Sequence, residues 1–251
     1  MRQVHLIISL LTITILLLPF DYANAQFGTG NFTSGYATPL YIGREWGSWT
    51  QSQKPNGMNR NFIKSLDPKK RNLSAAPSIL LTFKVSSTVR RRNLARFVAT
   101  TRKVDPEGAT KMEQLFASTD VIGQISKAIA PYGLRTNNVA DAYAVYWTSA
   151  WLGSQERSDD LSTRQMIAVR NQAAEALLAT LPFKSATDVQ KQELAEAMLI
   201  QAALIDSFLN SAKSDPALMA KVKVAITQGA KGMGLDLDRM TLTSQGFEFT
   251  K

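Results

Sequence analysis

The sequence predicts an all-α multi-helix bundle with a short extended or strand-like segment before its first helix. Three observations predict it. Apolar residues recur at helical spacing from about residue 87 onward, a capping residue stands where each such run begins, and no cysteine offers a disulfide framework in place of a core.

Each element has its own signal. Ile79–Val85 alternates, with Leu81, Phe83 and Val85 on one side and Thr82 and Lys84 on the other, so it reads as a strand. Phe247 and Phe249 alternate similarly and are its expected partner. Ser86 or Ser87 caps a helix running to about Lys103, with Leu94, Phe97, Val98 and Thr101 inward. Asp105-Pro106 supplies a cap followed by proline at the first helical position, opening a helix that buries Met112, Leu115 and Phe116. Asp120 caps the next, with Val121, Ile122, Ile125 and Ile129 inward, and Pro131-Tyr132-Gly133 stops it. Asn138 opens a helix to Gly153. Ser162-Thr163-Arg164-Gln165 is a capping box flanked by Leu161 and Met166 as a staple, and that helix reaches about Leu181. Thr187-Asp188-Val189-Gln190 repeats the box and opens the longest helix, with Leu194, Met198, Ile205, Phe208 and Leu209 as core. Asp215-Pro216 begins the last long one, which presents Leu218, Val222 and Ile226 and stops near Gly232-Met233-Gly234. The three Asp-Pro pairs are unevenly spaced and their surroundings do not match, so no repeat is present.

Upstream of this body the composition changes. Arg2, the fifteen-residue apolar run Leu6–Phe20 and the ending Ala23-Asn24-Ala25 read as a secretory signal over residues 1–25. The run is shorter than the roughly 20 residues a membrane span requires. Residues 26–78 form a basic arm rich in Gly, Asn and Ser, with scattered aromatics and no helical period, and are expected to be poorly ordered. Residues 79–251 are the helical domain.

Processing after Ala25 removes His5, the only histidine. The expected mature chain then has no Ser-His-Asp triad, no cysteine nucleophile and no imidazole or thiolate metal ligand, and no cofactor or metal is expected. Charge is unevenly distributed. Residues 26–104 hold fourteen Lys/Arg against two acids, whereas residues 105–251 hold fourteen against seventeen. Such a division points to an anionic partner or to pairing with the chain's own acidic half.

The chain also resembles a known group. Ser87-Thr88-Val89-Arg90, Asn93-Leu94-Ala95-Arg96-Phe97, Asp105-Pro106, Tyr132-Gly133-Leu134, Asn138-Val139-Ala140-Asp141-Ala142-Tyr143, Trp147 and Trp151 carry the likeness. Over about residues 80–246 the chain resembles a bacterial family of secreted proteins known as a domain of unknown function. The resemblance implies a domain boundary and an envelope or secreted setting, and brings no catalytic residues.

Two constellations are candidate binding sites. The helix after Ser86 carries Arg90, Arg91, Arg92 and Arg96 without one acid, and three of these arginines sit at the end where the helix dipole disfavours cations. It reads as a stripe for an anionic ligand, or as a face paired with Asp159-Asp160 or Glu193/Glu196. Tyr143, Trp147 and Trp151 recur every four residues and read as a stacking groove, or as core. Asp141, third after an Asn cap, fits a capping role. The chain therefore reads as an exported, periplasmic or extracellular, non-enzymatic binding or structural protein of the envelope. Its basic N-terminal third would contact an anionic envelope polymer or an acidic protein partner. A carboxylate-dependent hydrolase acting on cell-wall or glycan material is the alternative, and nucleic acid is a remote third because no recognition motif is present.

Overall fold

In a computed structural model of the chain, residues 78–249 are described apart from 104, 158, 181, 182 and 234, together with Lys64 and Asp67. The signal over 1–25 and the expected order of the arm over 26–78 lie outside the described residues, Lys64, Asp67 and Ser78 excepted.

The body is mainly helical. Its helices are α1 (Ser78–Leu81), α2 (Ser87–Arg102), α3 (Pro106–Ser118), α4 (Val121–Ile129), α5 (Val139–Ser154), α6 (Thr163–Thr180), α7 (Asp188–Ala212) and α8 (Pro216–Gly232). They are followed by an antiparallel hairpin of β1 (Met240–Thr243) and β2 (Gly246–Phe249), with Met240 opposite Phe249. Caps stand where the sequence put them. Ser86, Asp105, Asp120 and Asp215 each accept a hydrogen bond from the backbone N–H three residues on. Ser162 with Gln165, and Thr187 with Gln190, form reciprocal capping boxes. Gly133 ends the turn after α4 with φ of 72°, a conformation that costs a residue with a Cβ more than glycine.

The N-terminal strand is a correction. Ser78–Leu81 closes a single helical turn, and the chain then runs extended to Ser86, touching Asn138 through one isolated bridge at Thr82. Side chains of α7 take the backbone groups that a ladder would have used. Gln192 accepts from Ser86 N and donates to Ser86 O, both at 2.9 Å, and Lys191 Nζ donates to Thr82 O. Leu81 and Phe83 still point inward, whereas Val85 is exposed. Phe247 and Phe249 pair with Met240–Thr243 instead, because the hairpin turn brings that strand alongside within a few residues. Met112, Leu115 and Phe116 of α3 are only partly buried, since α3 packs mainly on α2 at the edge of the bundle.

Helix α5 is the axis of the fold. It packs against α6, α7 and α8, and every residue from Val139 to Ser154 is buried except Ser149 and Leu152. A helix apolar around its whole circumference must be covered on all sides. Its alanines permit close approach, and its four large aromatics, Tyr143, Tyr146, Trp147 and Trp151, are all buried. Among the described residues, no helix is long and apolar enough to cross a membrane.

Candidate functional site

The arginines of α2 divide into two sets. Arg90 Nε donates to Glu196 Oε1 at 2.8 Å, and Arg92 and Arg96 both pair with Glu193, so the stripe leans against α7. Of the acids named for pairing, Glu193 and Glu196 meet the stripe. Asp159 pairs with Arg157 instead. Glu196 is almost fully buried and also accepts from Asn93 Nδ2 at 2.7 Å and Gln192 Nε2 at 2.9 Å. That seam is architecture. On the open side, at 100° per residue, Arg91, Arg102, Arg92, Lys103 and Arg96 share one arc with Ala95 and Ala99 between them. Acids paired to this arc among the described residues include Glu193 on α7 and Glu113 on α3, one at each margin. Among the described residues, Arg91 reaches only the Thr88 hydroxyl. Five cations against two acids leave the face positive.

Tyr143, Trp147 and Trp151 are buried and present no stacking groove. They hold the C-terminal hairpin in place. Tyr143 Oη donates to Met233 O at 3.1 Å and Trp151 Nε1 to Met240 O at 3.0 Å, while Trp147 stacks on Phe247 with centroids 4.7 Å apart. Gln172 of α6 clamps Phe247 through both its backbone groups. Asn138 caps α5 through the N–H groups of Ala140 and Asp141. The Asp141 carboxylate accepts from the Arg135 N–H at 2.9 Å, just ahead of the cap. Its pKa is raised by burial, against the pull of that hydrogen bond and of Arg170 and Arg135.

A third feature was not anticipated. Between α4, α5, α7 and α8 lies a pocket of about 180 Å³, walled by Ile129, Val145, Leu152, Leu161, Met166 and Leu209. Asp206 of α7 lines it. Among the described residues, its carboxyl has no hydrogen-bond or ion-pair partner, and burial pushes its pKa up to about 7. Desolvation disfavours the charged form. Ser149 and Leu152, the only breaks in the burial of α5, both face this space.

The model of the family described as "Family of unknown function (DUF6683)" matches residues 49–250. The chain belongs to that family. No curated protein and no solved structure matches the chain. The DUF6683 match begins at Trp49, about thirty residues ahead of the resemblance read from the motifs. It thus takes in the second half of the basic arm as well as every described helix.

Within this DUF6683 domain, Asp206 is the residue that motif reading missed. Its signal was present. It stands four and three residues after Ala202 and Ala203 and three before Leu209, an acid set into the apolar stripe of a helix. No group of three or more metal-ligating side chains is found among the described residues.

Proposed function

We propose that the protein is an exported, non-enzymatic binding protein of the cell envelope. It contacts an anionic envelope polymer through its basic N-terminal third. The observation that carries this reading is the surplus of positive charge on the open face of α2, where five cations share an arc and two acids stand at its margins. Small side chains between them let a chain of anionic groups lie close, and guanidinium groups suit carboxylate and phosphate oxygens. The basic residues of the arm would extend the same field. The leader-like N-terminus supports export. An acidic protein partner is the competing occupant.

The test is retention of the purified protein on immobilised heparin, a polyanion, and on purified anionic envelope polysaccharide, each eluted with a salt gradient. The wild type is expected to bind at low salt and to elute as salt rises, because screening acts on exposed charges. Changing Arg91, Arg102 and Lys103 together to serine is expected to abolish retention and to leave the unfolding temperature within about 3 °C of wild type. A triple variant that elutes with the wild type sinks the reading.

Asp206 supports a second reading, a carboxylate-dependent hydrolase acting on cell-wall or glycan material. A carboxyl held near neutrality is the group a general acid requires. The reading stands second because the other acids at the pocket are engaged, Glu156 with Lys223 and Asp159 with Arg157. Glycan turnover that disappears in Asp206→Asn, with the fold intact, would place it first.

A further inference from the structure

The pocket around Asp206 shares no lining residue with the α2 face. Several of its polar groups are engaged. The Thr148 hydroxyl donates back to Ala144 O at 2.8 Å, Lys223 holds Glu156 at 2.8 Å, and Asp159 holds Arg157, which also lies over the Trp151 ring. Asp206 is the carboxyl of the lining that is left without such a partner among the described residues. Among the described residues its carboxyl accepts nothing, although Ala202 and Ala203 keep apolar surroundings on its own helix. Asp206 is half-buried at the pocket wall, and an acid held there without a donor is the kind of group a ligand completes.

We propose that this pocket is a binding site for a small amphiphilic amine, whose one-ring or short branched alkyl body fills the apolar walls and whose ammonium group pairs with Asp206. Volume sets the size of the body. A dry apolar cavity of about 150 Å³ admits benzene, and this one offers about 180 Å³ with the carboxyl at its wall. Charge sets the head group. A ligand carboxylate would be set against the Asp206 carboxylate, whereas an ammonium supplies the donor that Asp206 lacks.

The titratable groups facing the pocket, besides Asp206, are Tyr132 after α4, Glu156, Arg157 and Asp159 after α5, and Lys213 just after α7. The other elements contribute apolar or uncharged side chains there, Met166 from α6 and Met219 from α8 among them. Amine binding requires the ionised carboxylate. Affinity for the amine therefore rises with pH, by roughly tenfold per unit below about 7, and levels off above it.

The experiment is calorimetric titration of the full chain with benzylamine, benzyl alcohol and benzoate at pH about 5.5 and about 8. Benzylamine is expected to bind at least about tenfold tighter than benzyl alcohol at the higher pH, and to lose most of that advantage at the lower. Asp206→Asn is expected to erase the preference for the amine while leaving the protein folded in a thermal melt. Ser149→Phe, which fills the pocket from α5 and leaves Asp206 in place, is expected to remove binding of both. Tighter binding of benzoate, an amine affinity indifferent to Asp206→Asn, or no binding of any of the three at millimolar concentration overturns the proposal. The pH comparison in the wild type decides the matter even where a variant folds poorly.

Discussion

Two carboxylates on α7, ten residues apart, have opposite circumstances. Glu196 receives three donors, from Arg90, Asn93 and Gln192, and joins α2 to α7. Asp206 receives none and borders a pocket. Both sit on one helix, Glu196 in the core and Asp206 half-buried at the pocket wall, so the difference comes from what the neighbouring helices present. Facing α2, the neighbours are a guanidinium and an amide. Facing α4 and α5, they are Ile129, Val145 and Leu152. A satisfied buried acid fixes architecture, and a half-buried one without a partner costs stability that a binding role explains.

Removing the satisfied acid should have the largest effect. Glu196→Ala leaves Arg90, Asn93 and Gln192 without their acceptor, and a loss of about 3–5 kcal/mol is expected in urea unfolding, because breaking a buried pair strands its partners. A loss below about 1 kcal/mol would show that the seam is not structural.

The second effect is a pH dependence with a definite sign. The pKa of Asp206 lies higher in the folded state than the usual carboxylate value, so the folded protein holds a proton that the unfolded chain has released. Stability from this group is full below about 4 and declines as pH rises to about 7, by on the order of 2–4 kcal/mol. Melting temperatures of wild type and Asp206→Asn across that window should converge at the acidic end and separate at the alkaline end.

At pH about 8 and without ligand, Asp206→Asn should therefore be the more stable protein, by about 1–2 kcal/mol. A destabilised Asp206→Asn would reveal a stabilising role for the carboxylate and would remove the contrast with Glu196. The smallest effect is expected at the rim of the α2 face. Arg102 and Glu113 pair where both are well exposed, and Arg102→Ala should change stability by less than about 0.5 kcal/mol in the same assay.

The helices were legible because their signals are local. Ser162 with Gln165, Thr187 with Gln190, and the Asp-Pro starts at 105 and 215 each satisfy backbone donors within a few residues, so no distant part of the chain is needed to read them. The strand expected over Ile79–Val85 was not legible. Alternation reports which side chains point inward, and Leu81 and Phe83 do, but a ladder depends on what lies alongside. There the neighbour is α7, whose Gln192 and Lys191 take the backbone groups. Of the candidate sites, the aromatic column was visible as a repeat of four, and its place in the core follows from α5 being enclosed on all sides. Asp206 was visible only as an acid out of place on an apolar stripe.

By itself the sequence determined where the helices begin and end, and that the α2 helix would carry its arginines with no acid of its own, because capping and periodicity act over single turns. Only the tertiary structure decided which acids those arginines meet and which acid is left unmet. Ion pairing acts over a few ångströms, and Arg90 and Glu196, more than a hundred residues apart in the chain, are neighbours solely because α2 and α7 pack together.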